Sequence, residues 1–118
     1  MEKIFEQGML YDFYGELLTE HQRSIYEDAV FNDMSLGEIA EERGISRQGV
    51  HDLLKRCDRI LQDYERKLQL VARFTRAKET VGEIMQLTQS EDPEESAEVL
   101  QGRLDRIRRL SLELIEEL

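Results

Sequence analysis

Residues 35–50 read Ser-Leu-Gly-Glu-Ile-Ala-Glu-Glu-Arg-Gly-Ile-Ser-Arg-Gln-Gly-Val. Ser35 followed three residues later by Glu38 is a helix-start signature, in which side chain and backbone cap each other. A short helix over roughly 36–43 then stops at Gly44, since a helix end favours the left-handed conformation that glycine adopts without steric cost. Ser46 offers a further cap, and a long helical pattern starts at Arg47. Ala40 is small where a second helix crosses closely. Leu36, Ile39, Ile45, Val50 and Leu53 are apolar at positions that hold two helices at a steep angle. The spacing predicts a helix-turn-helix whose second helix can enter a groove. Such a corner serves nucleic acid or a bound protein; the bland alternative is a scaffold that binds nothing.

The pattern extends in both directions. Upstream, residues 3–18 read as a helix with Leu10, Phe13, Tyr14, Leu17 and Leu18 on one face. Thr19 with Gln22 repeats the capping box for a helix running to about Asn32 that buries Ile25, Tyr26, Ala29 and Val30. Downstream, no Gly or Pro interrupts positions 50–81, and apolar residues continue from Val50 through Leu53, Leu54, Cys57, Ile60, Leu61, Tyr64, Leu68 and Val71 to Phe74. This predicts one very long helix, or two meeting around Phe74–Ala77, with a further helical stretch ending near Gln89. Ser90-Glu91-Asp92-Pro93 reads as a loop. Ser96 or Asp92 caps a last helix, whose apolar stripe is Leu100, Leu104, Ile107, Leu110, Leu114 and Leu118. No strand-period alternation is visible. The expected fold is all-α: a helix-turn-helix bundle followed by a long helix and C-terminal helices. The helix-turn-helix domain, with the long helix, is expected over 1–75, and an acidic helical extension over 76–118.

Composition narrows the function. Of 118 residues, 40% are hydrophobic, enough for a core, while 7 Gly and 1 Pro are too few for a turn-rich β-sandwich. A single Cys excludes an internal disulfide framework and fits a reducing cytoplasm. No apolar run approaches the ~18 residues of a membrane span, and no signal-peptide pattern opens the chain. The net charge of −10 argues against non-specific coating of nucleic acid. The charge is uneven, however. Residues 46–78 carry nine Lys/Arg against four Asp/Glu, whereas residues 1–45 carry three against eleven and residues 79–118 four against eleven. A basic centre between acidic flanks points to a partner surface.

At ~100° per residue, Gln48, His51, Arg59, Arg66 and Arg73 all fall within ~40° of Lys55, opposite the apolar residues. On a continuous helix they form a polar, basic stripe. Its front, Arg47, Gln48, His51 and Lys55, suits base edges and phosphates. Its rear, including Arg59 and Arg66, could follow a nucleic-acid backbone or meet an acidic protein; the alternative is an ordinary solvated face. Asp52 and Asp58 lie near the stripe and weaken a phosphate site. His21, His51 and Cys57 show no zinc-ligand spacing, and Cys57 falls on the apolar side as a buried thiol. Without a P-loop, dinucleotide fingerprint or Ser–His–acid arrangement, no catalytic residue, metal or cofactor is expected and the chain does not read as an enzyme. The apolar stripes of the long and last helices exceed what a small three-helix domain covers, which predicts a homodimer. A monomer with folded-back C-terminal helices is the alternative.

The stretches Leu10–Thr19 (LYDFYGELLT), Gln22-Arg23, Ser35–Val50 and Ile60–Leu68 (ILQDYERKL) together resemble the YlxM family, small bacterial helix-turn-helix proteins related to region 4 of sigma factors. The resemblance covers about residues 4–75; the acidic C-terminal third matches only in being helical. It implies a sigma-region-4-like fold and a cytoplasmic bacterial protein. It also implies a link to the signal recognition particle pathway, because family genes commonly lie beside those for the particle's GTPase and its receptor. Gly49 departs from the Ala expected there, at a cost of roughly 1 kcal/mol in a helix interior. The expected function is a nucleic-acid-binding accessory or regulatory protein of that pathway, with DNA, the particle's RNA and possibly its protein as partners. One rival is a protein-interaction module docking its basic stripe on an acidic partner, favoured by acidic flanks that repel phosphates within about a Debye length. The other is a sigma-like transcription component, although no other sigma region is visible.

Overall fold

The computed structural model describes residues 2–89, 92 and 94–117. It is all-α, with no strand among the described residues. The helices are α1 (Glu2–Tyr14), α2 (Glu20–Val30), α3 (Leu36–Arg43), α4 (Arg47–Leu68), α5 (Leu70–Leu87) and α6 (Ala97–Glu117), with a 3-10 turn at Gly15–Leu17 between α1 and α2. The chain divides into two compact units, Met1–Val71 and Ala72–Leu118.

Local chemistry sets the helix starts of the first unit. Thr19 Oγ1 accepts from the Gln22 N–H at 3.2 Å while Gln22 Oε1 accepts from the Thr19 N–H at 3.0 Å. Ser35 and Glu38 form the same reciprocal pair at 3.1 Å each way, and the Ser35 backbone N–H, then its hydroxyl, holds the Glu38 carboxyl below its usual range. Each pair satisfies amides that a helix start leaves without carbonyl partners. Gly44 takes the left-handed conformation (φ 68°, ψ 33°), and the Ile45 N–H returns to the Ala40 carbonyl at 3.1 Å. Ser46 Oγ then caps α4 by accepting from the Gly49 N–H at 2.9 Å.

The core of this unit has two parts joined along α4. Leu10, Tyr14, Leu18, Tyr26, Cys57 and Leu61 form one, and Ile25, Ile39, Ala40 and Val50 the other, with Leu53 and Leu54 packed against both. Leu36 and Ile45, expected to lock the corner, sit at its margin, each 38% exposed. The lock is carried by Ile39 and Val50, which have no accessible surface.

Several boundaries differ from the sequence reading. The first helix ends at Tyr14, not Leu18, and α2 ends at Val30, short of Asn32. At Gly15 the backbone passes so close to the Tyr11 ring that a Cβ would stand 2.7 Å from it. The tighter 3-10 turn advances the chain faster around the axis than an α-helix does. Of the face expected for the first helix, Leu10, Tyr14 and Leu18 are buried, while Phe13 and Leu17 stay 36% and 54% exposed.

A further difference concerns the long helix. It neither runs on nor breaks at Phe74–Ala77: α4 stops at Leu68, and Gln69 adopts the left-handed conformation (φ 54°, ψ 31°). Contacts from far along the chain fix this joint. The Tyr14 hydroxyl donates to Glu65 Oε1 at 2.6 Å and accepts from the Leu70 N–H at 3.1 Å, and the Val71 N–H donates to the same Glu65 oxygen at 3.0 Å. The first two amides of α5 thus find acceptors that no helical carbonyl can supply. Burial first, and then the bond to Glu65, pushes the Tyr14 hydroxyl above its ordinary pKa.

In the second unit, Arg103 reaches the Gln89 carbonyl at 3.2 Å and the Glu95 carboxylate, and Arg106 meets Glu83 at 2.9 Å. The end of α5 and α6 therefore run in opposite directions. Ser96 caps α6, accepting from the Val99 N–H at 3.3 Å, whereas Asp92 accepts from the Glu94 N–H at 2.9 Å in the preceding turn. The α5 helix ends at Leu87, two residues before Gln89. Of the expected α6 stripe, Leu110 is buried, Ile107 and Leu114 are half-buried, and Leu100 and Leu104 are exposed. Ser90, Glu91 and Pro93 of the expected loop, and Leu118 of the stripe, lie outside the described residues.

The Tyr14 contact gives a stability prediction. Tyr14→Phe removes the acceptor of the Leu70 amide and is expected to cost about 1–3 kcal/mol. For a unit of this size the melting midpoint should fall by about 4–8 °C per kcal/mol. Calorimetry of the variant checks it, and an unchanged midpoint would remove the joint from the stabilising contacts.

Candidate nucleic-acid interface

The corner formed by α3 and α4 is anchored to α2 by a side chain that the sequence reading passed over. Arg43 Nη2 donates to Ser24 Oγ at 2.6 Å and to Asp28 Oδ2 at 2.7 Å. Arg43, and then Asn32, holds the Asp28 carboxyl below its usual range. The only advance signal was an Arg in the last turn of a helix that ends at glycine. With the buried Ile39–Val50 packing, this pair fixes the exposed side of α4 relative to α2 and α3.

Arg47, Gln48, His51, Lys55, Arg59 and Arg66 are all on α4 and all exposed. The structure sorts them into three groups. At the front, Gln48 Nε2 donates to Asp52 Oδ1 at 2.9 Å, and His51 Nδ1 lies 3.4 Å from the same oxygen. Asp52 thus braces the two polar side chains, and Gln48 first, then His51, holds its carboxyl below the usual range. Arg47 extends over the start of α3, where a Cβ on Gly37 would stand 3.1 Å from its Nη2 and 3.2 Å from its Nε. Glycine at position 37 therefore leaves room for that guanidinium.

Midway along α4, Lys55 and Arg59 line a cleft of about 650 Å³ that also borders the start of α2, with Thr19, His21, Gln22 and Arg56 on its walls. Arg56 and His21 escaped the sequence reading for geometric reasons. One residue from Lys55 is ~100° away around the helix, and His21 belongs to another element.

At the rear, Arg66 is paired with Asp63 at 2.8 Å. Arg73 lies beyond the Gln69 break on α5 and is not part of an α4 stripe. Asp58, expected to weaken a phosphate site, has its carboxylate engaged in the core: it accepts from the Tyr26 hydroxyl at 2.7 Å and from Gln7 Nε2 at 3.0 and 3.1 Å. Cys57 is fully buried, and that burial pushes its thiol up to about 11. Among the described residues no three His, Cys, Asp or Glu side chains gather as a metal cage.

A capped helix-turn-helix with a polar, exposed face on its second helix defines a helix-turn-helix protein. The family model of UPF0122, the YlxM / p13-like helix-turn-helix proteins, matches residues 1–100, and the chain belongs to that family. It is 41% identical over 102 residues to a UPF0122 protein of Desulforamulus reducens, covering 86% of this chain and 85% of the relative. It is 40% identical over 105 residues to one of Halalkalibacterium halodurans, covering 89% and 94%. A Bacillus cereus relative is 42% identical over 92 residues, covering 78% and 84%. The family match runs past residue 75, through α5 and into α6, so the acidic C-terminal part shares more than helicity with the family. No helix among the described residues is long and apolar enough to cross a membrane.

The Gly37–Arg47 approach separates stability from binding. Gly37→Ala meets only the far end of a flexible side chain, so unfolding free energy should change by less than about 1 kcal/mol. Arg47 must move aside. If Arg47 contacts nucleic acid, affinity should fall while the urea midpoint stays nearly fixed. Unaltered affinity would take Arg47's present placement out of the interface.

Proposed function

We propose that this protein is a nucleic-acid-binding helix-turn-helix accessory protein acting in the cytoplasm, on the signal recognition particle pathway or on transcription of its genes. The observation that carries the reading is the front of α4: Gln48 and His51 braced on Asp52, with Arg47 laid across the start of α3 beside them. Recognition helices meet a groove with their N-terminal residues. With Nε2 engaged by Asp52, Gln48 keeps Oε1 for a base-edge donor. Lys55 and Arg59 supply phosphate contacts behind the reading side chains, and Arg66 contributes less because Asp63 already holds it. The pathway link comes from the resemblance to the YlxM family. A protein-docking reading stands second, favoured by the acidic flanks, and needs only that the same face meet carboxylates.

Binding by fluorescence anisotropy to duplex DNA and to the particle's RNA, over a salt series, tests this reading. Each phosphate contact contributes about 0.9 to the slope of log K against log salt on duplex DNA. Lys55→Ala should therefore flatten the slope by about one unit, whereas Gln48→Ala should change sequence preference at constant slope. If Arg47→Ala with Lys55→Ala leaves binding unchanged, or the wild type binds neither nucleic acid at low salt, the docking reading replaces it.

We also propose a homodimer formed through the second unit. Leu110 is its one buried hydrophobic residue among those described, while Val81, Met85, Leu104, Leu112 and Ile115 stay exposed. Exposed apolar surface on this scale is unusual for a monomer. Light scattering at micromolar concentration should give twice 13.9 kDa; the single mass would remove the proposal.

A further inference from the structure

The cleft between the start of α2 and the middle of α4 lies beside the reading face and contains residues that the reading does not use. We propose that it is a binding site for the phosphate group of a nucleotide, held by Arg56 and His21 together with Lys55 and Arg59. The inference goes beyond the helix-turn-helix reading and does not require it.

Charge is the first argument. Arg43, Arg66, Arg103 and Arg106 each have a carboxylate partner. Lys55, Arg56 and Arg59 make no salt bridge with any described residue, and Lys55 feels the Asp52 carboxylate only at longer range. Three cations within five residues of one helix repel each other, and an anion between them removes that repulsion. The one carboxylate on the cleft wall, Asp52, is hydrogen-bonded to Gln48 and His51 and attracts Lys55 only weakly beside them, so Arg56 and Arg59 keep their charge for a ligand.

Shape is the second. A volume of about 650 Å³ exceeds the needs of a lone inorganic ion and falls within the range of small-ligand sites. Gly49 on the wall has no side chain to occupy the space. The polar and cationic walls suit a phosphorylated ligand rather than an apolar one. The start of α2 adds the partial positive charge of a helix N-terminus from the opposite side. Its Gln22 and Arg23 amides are bonded to Thr19, and the Glu20 and His21 amides precede any helical acceptor.

Two sources could deliver the phosphate: a free nucleotide or a nucleic-acid strand. The test uses the full chain at low salt, followed by amide NMR, with three probes in separate titrations: pyrophosphate, ADP and a short single-stranded oligothymidine. Pyrophosphate is expected to shift residues around 19–22 and 49–59 saturably. Arg56→Gln and His21→Gln should each weaken it, Arg56→Gln by about tenfold, the equivalent of one charge-assisted contact. Lys67→Gln, an exposed cation elsewhere on α4, should leave it unchanged. Both cleft residues are exposed, so a retained spectrum confirms that the variants fold. ADP binding tighter than either other probe assigns a free nucleotide; the oligonucleotide binding tightest assigns a strand. Shifts spread over all basic residues, no saturation, or equal losses in Arg56→Gln and Lys67→Gln would overturn the site. Because Arg56 and His21 are absent from the reading face, pyrophosphate binding can survive a failure of the DNA and RNA experiments, and the reverse.

Discussion

Ile25, Ile39, Ala40 and Val50 meet with almost no accessible surface, and that contact decides where the exposed side of α4 points. Interiors packed to crystal-like density transmit a change of one methylene to their neighbours, so the angle between α3 and α4 is a property of these four side chains. Leu53 and Leu54 carry the same constraint into the second cluster, around Tyr26, Cys57 and Leu61. One helix thus serves as the wall of the core on one side and as the presented surface on the other. Gly44 and the capping hydroxyls of Ser35 and Ser46 allow the chain to reach this arrangement; the buried residues, with the Arg43–Asp28 pair, hold it there.

What could be read from the sequence was what short-range chemistry dictates. The capping boxes at Thr19 and Ser35, the stop at Gly44 and the start at Arg47 each involve residues within four positions of each other, and each stands where it was expected. The joint at Gln69 was illegible because its causes are remote. A non-glycine residue in the left-handed region gives no compositional warning, and the apolar rhythm continues across it. The same limit applies to the candidate site. Helical arithmetic puts Gln48, His51 and Lys55 on one side of a regular element, and all three are exposed on α4. It could not foresee that Asp58 bonds to Tyr26, that Arg43 bridges to Asp28, or that His21 and Arg56 face one cleft.

The electrostatic arrangement follows from this division. Beyond a Debye length of about 10 Å at moderate salt the net charge of −10 is largely screened, so anything that approaches α4 meets chiefly the local charges there, the basic residues of the helix and the acidic ones beside them. Asp52 adds a further restraint, since it both braces Gln48 and His51 and shares a wall with Lys55. For an anionic ligand of the kind proposed, shape and hydrogen-bond matching would weigh more on such a mixed-charge face than on a uniformly basic one.

The bond network around Tyr14 has a consequence for how the chain is made. Tyr14 finds its partners 51 and 56 positions later, at Glu65 and Leu70, and Tyr26 finds Asp58 32 positions later. At synthesis rates of about 5–20 residues per second, the first of these gaps takes several seconds to translate. During that interval Leu10, Tyr14, Leu18 and Tyr26 have only the contacts that α1 and α2 make with each other, because Cys57 and Leu61, the share of the same cluster that α4 supplies, have yet to be made. The Tyr14 hydroxyl gains its full set of partners only once the chain has been made through Glu65 and Leu70.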